Sequence, residues 1–546
     1  MKKAMKLVAL MLAIIMIVGM FVACDSKDKV ANETKTGGKY TYWVTLDSSV
    51  AQTHTSFGDL MMYQEMMKRL DMEVEFIHPA QGTTGTEAFQ ILMSSGDYPD
   101  MVQYAWANYT GGADQAIADG VIISLNDYLE EYAPNYYYYM EGEGGKEKNY
   151  SYKATGISNG GNYYGFKNLN VGNYRGYMGL YVRADLLKKW GLDVPTTIDD
   201  WELIFKTAKE NGIKYPLTGS KTTLGAVSSN IFNTAWKVGS GFYMDGNTVK
   251  FGPFEPEFKE YVQKMAEWMS KGYIDIDYIT NDTTVIRGQI TNGTSIATTG
   301  YVGGDLGAII PAMLERDPEF DLVACPFPVM NEGEVPIFQA IQADSSDPCI
   351  AITVQCGEEN ENRYKEAIKW CDYLYSDEGI VLKSFGIEGE TFTIEKLEDG
   401  EEHYVYTDKV KNYEEFGATN MSAALYHFML PANHPGFNQH PDYFNGYYGY
   451  DRQKEAIEVW NKHVDVAMDH VFPSVSYTGE EASRKANIEA SGKDNLQAAI
   501  SNIILGKESM DKYDEAIEAA RKAGYDELLE INQAAYDRYA KVIGKN

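Results

Sequence analysis

Residues 179–197 read Gly179-Leu-Tyr-Val-Arg-Ala-Asp-Leu-Leu-Lys-Lys-Trp-Gly-Leu-Asp-Val-Pro-Thr-Thr197, and they follow the aromatic run Tyr163-Tyr-Gly-Phe-Lys167 and a Gly- and Asn-rich passage. Residues 177–183 are a short, mostly apolar run rich in β-formers, which predicts a strand. Residues 184–190 predict a short helix, with Gly191 at its C′ stop. Pro195-Thr196-Thr197 predicts a turn. Asp199 is the expected N-cap of a second helix over 200–211, because Trp201, Ile204, Phe205 and Ala208 recur on one face. Strand, short helix, turn and amphipathic helix form one α/β unit.

The chain before this unit repeats the alternation. Residues 40–46 and 73–77 predict strands, 57–70 a methionine-rich amphipathic helix, 86–95 a helix stopped at Gly96, and 100–104 a third strand. Strands alternating with helices imply a mainly parallel sheet. The methionines read as adaptable core filler rather than metal ligands. Tyr104 and Trp106 follow a strand's carboxyl end, where open α/β sheets bind ligands, and a purely structural role is the alternative. Residues 132–152, with four consecutive tyrosines, read as a surface excursion.

With 546 residues the chain is too long for one ordinary core, so two lobes are expected. A net charge of −31 argues against nucleic acid and against broad attraction to an anionic membrane. The 41 tyrosines exceed the hydroxyls that a core readily satisfies, so many should lie at least partly at the surface. No pair among Cys24, Cys325, Cys349, Cys356 and Cys371 has CxxC spacing, and buried free thiols are the expected state of the last four.

The amino terminus has three lysines in its first six residues, an apolar run over 7–22, then Ala23-Cys24 and polar residues. That is a secretory signal pattern. Ala23-Cys24 resembles a lipobox, with Phe21 in place of the usual Leu, and implies lipidation of Cys24 after removal of residues 1–23. Residues 24–39 form a tether. No later segment has comparable apolar length.

Four stretches carry a family resemblance. They are the unit described above; Leu92-Met-Ser-Ser-Gly-Asp-Tyr-Pro-Asp-Met-Val102; Phe385-Gly-Ile-Glu-Gly-Glu-Thr-Phe-Thr-Ile394 with Asp399-Gly400; and Gly524-Tyr-Asp-Glu-Leu-Leu-Glu-Ile-Asn-Gln-Ala-Ala-Tyr536. Together they resemble family 1 extracellular solute-binding proteins, in the lipoprotein branch that includes oligosaccharide and alginate receptors of bacterial ABC importers. The resemblance implies a periplasmic-binding-protein-like α/β fold. Two lobes, near 40–172 with 343–420 and 173–342 with 421–546, would be joined by a hinge with the ligand cleft between them. Crossings are expected near 166–179 and 341–353, with a third strand after Ile394.

The resemblance also implies an oligosaccharide ligand, a pair of ABC permease subunits as partners, a membrane link through the lipid anchor at the outer face of the cytoplasmic membrane, and a monomer. No cofactor is called for. An aromatic at the position of Tyr301 stacks on sugar in maltodextrin-type relatives. Trp236 reads either as core or as a further ring of the site. Tyr163 and Tyr164, which lead into the first crossing, are further candidate ligand contacts. Several alginate-type relatives carry a calcium loop before Pro-Leu-Thr-Gly. This chain has Lys209-Glu-Asn-Gly-Ile-Lys214 there, with too few carboxylates for a hard cation, and no metal is expected.

No hydrolase, metalloprotease, P-loop or dinucleotide motif stands out. His427, His434 and His440 sit in a loop with no ligand spacing. The same loop brings Asn438 and Tyr443 among other aromatics and amides, a composition suited to sugar C–H faces and hydroxyls, or to a loop packed on itself. The readings left open are a receptor for a peptide or another polar solute and a surface carbohydrate-active enzyme.

Overall fold

The computed structural model describes residues 38–545 apart from 81, 143–151, 171–174, 228, 343–344, 398–399, 419–420, 439 and 441. Cys24, the signal segment and nearly all of the tether lie outside the described residues.

The strands in chain order are β1 (Lys39–Trp43), β2 (Glu73–Ile77), β3 (Met101–Tyr104) and β4 (Phe166–Asn170), then β5 (Met178–Arg183), β6 (Leu217–Thr218), β7 (Phe242–Asp245), β8 (Thr248–Phe251), β9 (Ala297–Tyr301) and β10 (Leu322–Cys325). β11 (Ser345–Ile352), β12 (Phe392–Lys396), β13 (Glu402–Tyr406) and β14 (Gly436–Asn438) follow. One lobe is built on a six-stranded sheet of order β14-β4-β11-β3-β1-β2, the other on a four-stranded sheet of order β10-β5-β9-β6.

β1 runs parallel to β2 and β3, in line with the alternating pattern. β11, however, is antiparallel to both β3 and β4, and β5 is antiparallel to β9 and β10. The reason is connectivity: a chain returning from the other lobe enters the sheet at the edge where it left, so it must run the opposite way. This same fact aligns the carboxyl ends of β1, β2, β3, β4 and β14 with the amino end of β11. In the second lobe it aligns the carboxyl ends of β6, β9 and β10 with the amino end of β5. Both edges carry the crossings and so border the gap between the lobes.

The helix Ile198–Glu210 buries Trp201, Ile204, Phe205 and Ala208, with the Phe205 and Trp268 rings edge to face at 5.1 Å. Its N-cap is Thr197 rather than Asp199. The Thr197 hydroxyl accepts from the Asp200 amide (3.1 Å), and the Asp200 carboxylate accepts from the Thr197 amide (2.9 Å). This reciprocal capping box satisfies two otherwise orphaned donors, which Asp199 as cap does not achieve. The methionine-rich helix begins later than its pattern suggests, at Met61, after a 3-10 turn over Phe57–Asp59. Met62 and Met66 are buried in the first core, as filler.

The four described cysteines are buried free thiols. The tyrosine-rich passage is a surface excursion only in part among its described residues: Tyr138 is 44% exposed, but Tyr136 and Tyr152 are fully buried. The Asp372 carboxylate caps the helix Pro134–Met140, Oδ1 accepting from the Tyr136 amide (2.7 Å).

Residues 421–438 also lie differently from expectation. β14 pairs with β4, and Ala423, Leu425, Phe437 and Tyr443 sit in the first core with Tyr42 and Trp370. The run after Ile394 does not cross. It folds back as the hairpin β12–β13. The third crossing comes later, between Tyr443, in the first core, and Tyr448 and Trp460, in the second. The first two crossings run side by side, with Gly176 bridged to Ile341 and the Gln342 amide donating to Arg175 O (3.1 Å). No described helix is long and apolar enough to cross a membrane.

Candidate functional site

Tyr301 ends β9 at the edge facing the crossings, and it is 39% exposed. Its ring lies over that of Tyr177, with centroids 5.7 Å apart and planes 22° apart. Behind it the chain makes a wide, π-helical turn, Val302–Leu306, that leads into the helix Gly307–Leu314, with the Tyr301 amide donating to Asp305 Oδ2 (2.8 Å). Gly300 permits this turn, since a Cβ there would lie 2.6 Å from that oxygen. Arg287 locks the carboxylate from the other side, donating from Nε to Asp305 Oδ1 (2.9 Å) and from Nη2 to Gly304 O (2.7 Å).

The turn is also tied to the residue before β5 and to the helix Asp451–Asn461. The Val302 amide donates to Tyr177 O (3.0 Å), and Gln453 Nε2 donates to Val302 O (2.9 Å). Gly303 abuts the Tyr447 ring so closely that a Cβ would sit 2.7 Å from Cε1. An exposed aromatic face is thus held by fixed polar contacts, the preorganisation that ligand sites use to avoid ordering costs on binding.

Across the gap, Tyr104 ends β3 and is half-buried, stacked on Phe89 at 3.6 Å and 8°. Trp106 does not face the gap. It is wholly buried between Phe89 and the sheet, its Nε1–H donating to Val102 O (3.2 Å). The 3-10 turn Trp106–Asn108 directs the ring back onto β3, so the side chain completes the core instead of the site.

Four further expected contacts are likewise internal. Tyr163 is buried, its hydroxyl donating to Glu141 (2.7 Å), and burial pushes that phenol's pKa far up, with the Glu141 hydrogen bond adding to the shift. Tyr164 is buried beneath the Lys167 ammonium, 5.0 Å from its ring centre. Asn438 is buried and ties two strand ends together, Nδ2 donating to Asn170 Oδ1 (2.6 Å). Tyr443 is buried and stacks on Tyr447 at 5.0 Å. Trp236 is half-buried and leans on Tyr261 in the second core (5.6 Å).

The edge of the first lobe also holds polar pairs that sequence reasoning passed over, of which Lys167 and Asn168 are buried and Asp347 is exposed. Lys167 Nζ pairs with Asp347 (3.0 Å), and Asn168 Nδ2 donates to Ser346 Oγ (3.1 Å). Burial, the largest single influence, opposes the Lys167 charge, but the Asp347 carboxylate together with Tyr164 and Cys349 raises its pKa and keeps the ammonium protonated. Tyr177, Asp305 and Arg287 were also missed. Part of the signal was present in the glycines at 300 and 303, where a Cβ would meet Asp305 Oδ2 and the Tyr447 ring. Among the described residues no group of three or more His, Cys, Asp or Glu is arranged to hold a metal ion. In the loop 209–214 the Lys209 ammonium donates to Lys214 O (2.9 Å).

The family model of the bacterial extracellular solute-binding proteins matches residues 63–380. No curated protein matches the chain. Solved structures with the same fold include the alginate-binding protein AlgQ2 without calcium, 20% identical over 91% of this chain and 98% of that one, TM-score 0.67. An HMO-binding, ABC-transporter-associated solute-binding protein from Bifidobacterium longum infantis is 17% identical over 92% and 99%, TM-score 0.71. The S. pneumoniae ABC-transporter substrate-binding protein FusA, in complex with kestose, is 17% identical over 92% and 99%, TM-score 0.68.

Proposed function

Because this chain belongs to the bacterial extracellular solute-binding protein family, we propose that it binds an oligosaccharide between its lobes and delivers it to a pair of ABC permease subunits. The observation that carries the reading is the Tyr301–Tyr177 stack, exposed at the strand edge beside the crossings and braced from behind. A flat aromatic face takes the apolar C–H side of a sugar ring. Tyr104 and the exposed Asp347 carboxylate of the opposite edge supply partners for hydroxyls. The carbohydrates reported for structures of the same fold, alginate, HMO and kestose, support the ligand class.

The same reading has the protein held by a diacylglyceryl group on Cys24 at the outer face of the cytoplasmic membrane, acting as a monomer and without catalysis. One acyl chain gives only marginal attachment, and two give stable attachment. Cys24→Ala is expected to abolish metabolic labelling with a radiolabelled fatty acid, and persistent labelling overturns the anchor.

The ligand reading is tested by calorimetric titration with purified alginate, fructo-, manno- and milk oligosaccharides, followed by chromatography of the recovered sugar. Stoichiometric binding with the sugar recovered intact is the expected result. Recovery of shortened products overturns the receptor in favour of an enzyme, and binding of none of the four overturns the carbohydrate class as drawn here.

A further inference from the structure

The third crossing is the short helix Tyr443–Tyr447, and Tyr447 within it belongs to neither lobe alone. Its ring stacks on Tyr443, a first-core residue, at 5.0 Å and 21°, and lies 5.0 Å from Tyr448, a second-core residue. Tyr447 and its neighbour Phe444 pack against both cores. The ring edge presses on Gly303, leaving no room there for a side chain. Gly303 is two residues beyond Tyr301, in the turn whose other ties run to Tyr177 and Gln453, both packed with the second lobe.

We propose that Tyr447 is a positioning residue that couples rotation of the lobes to the orientation of the Tyr301 ring. Any rotation must be absorbed in the three crossings, because the cores are close-packed and do not deform continuously. A ring wedged between the two cores moves with that rotation. Gly303, with no side chain to separate it from the ring, follows the ring, and the bonded turn transmits the shift to Tyr301. The consequence for binding rests on the proposed ligand-facing role of Tyr301, whereas the coupling itself does not.

The test therefore needs no ligand. Spin labels at Ser94→Cys and Lys206→Cys, exposed on opposite lobes, report the lobe-to-lobe distance distribution. The four described native cysteines are buried and stay unlabelled. A 3-fluorotyrosine incorporated at position 301 reports the ring's surroundings by 19F NMR. Tyr447→Ala is expected to broaden the distance distribution and to move the position-301 resonance by more than its line width. Tyr447→Phe, which keeps the ring, is expected to leave both as in the parent protein. Gly303→Ala disturbs the same contact from the other side and is expected to shift both readouts, which keeps the test decisive if Tyr447→Ala does not fold. A change in lobe distances with the 301 resonance unmoved, in either variant, overturns the coupling and leaves Tyr447 an ordinary hinge residue. Parent-like behaviour of both readouts in Tyr447→Ala or Gly303→Ala overturns it as well.

Discussion

The Tyr301 ring is supported from beneath by Tyr177, 5.7 Å away and 22° from parallel, so the second lobe presents one open aromatic face beside the first crossing. The ring keeps 39% of its surface exposed.

That relationship predicts a loss of affinity without a loss of stability. Covering one tyrosine face with a sugar ring contributes about 1–2 kcal/mol from the apolar area removed from water. Tyr301→Ala is expected to weaken oligosaccharide binding about tenfold, measured by titration calorimetry, with the melting temperature near that of the parent. Unchanged affinity in a folded variant removes Tyr301 from the site.

Trp106 predicts the opposite pattern. Its burial is complete, and its indole N–H is bonded to the strand it follows. Trp106→Ala leaves a cavity and is expected to cost about 3–5 kcal/mol of stability by urea denaturation. Any affinity change should scale with the unfolded fraction.

Lys383 sets a pH dependence. It is 1% exposed, with Nζ donating to Phe437 O (2.8 Å), and burial lowers its pKa to about 7. In an unfolded chain a lysine titrates near 10.4. At higher pH both states are neutral at this site and folding carries no proton penalty. As pH falls towards 7 the unfolded chain takes up a proton that the folded one refuses, so stability is lost across that window and levels off below 7. The stability of Lys383→Met relative to the parent should therefore fall by about 2 kcal/mol between pH 7 and pH 9 in urea unfolding. A pH-independent difference shows that Lys383 is charged in the fold.

Closure of the gap is the remaining expectation. The lobes already touch away from the crossings, where Ser476 Oγ donates to Ile157 O (3.0 Å) and Arg538 Nε donates to Asn159 Oδ1 (3.1 Å). A ligand contacted from both lobes favours the closed arrangement and shifts the population towards it. A saturating oligosaccharide should reduce the radius of gyration in solution scattering. Tight binding with an unchanged scattering profile indicates a preformed groove.

Much of the architecture was legible in the chain itself. The strand before Ala184, the amphipathic face of Trp201, Ile204, Phe205 and Ala208, and the helix stops at Gly96 and Gly191 are short-range features. Periodicity and backbone preference specify them within a few residues. The N-cap of the 198–210 helix was misplaced by two positions, because Thr197 and Asp199 both suit a cap and only the reciprocal bond to Asp200 distinguishes them.

The site was legible by residue type but not by direction. Of the eight side chains expected at the ligand, Tyr301 is exposed, Tyr104 and Trp236 are half-buried, and Trp106, Tyr163, Tyr164, Asn438 and Tyr443 are buried. The sequence by itself determined the α/β alternation, the helix stops and the aromatic and amide content of the loop that carries Asn438 and Tyr443. The tertiary structure alone decided that β11 runs antiparallel, that residues 421–438 return to the first lobe, and that the Trp106 ring turns inward while Tyr301 stays out. Each of these depends on partners far away in sequence, such as Asn170 for Asn438 and Tyr447 for Gly303. An aromatic ring gains free energy from apolar burial in a core or beneath a sugar alike, so its identity cannot say which surface covers it.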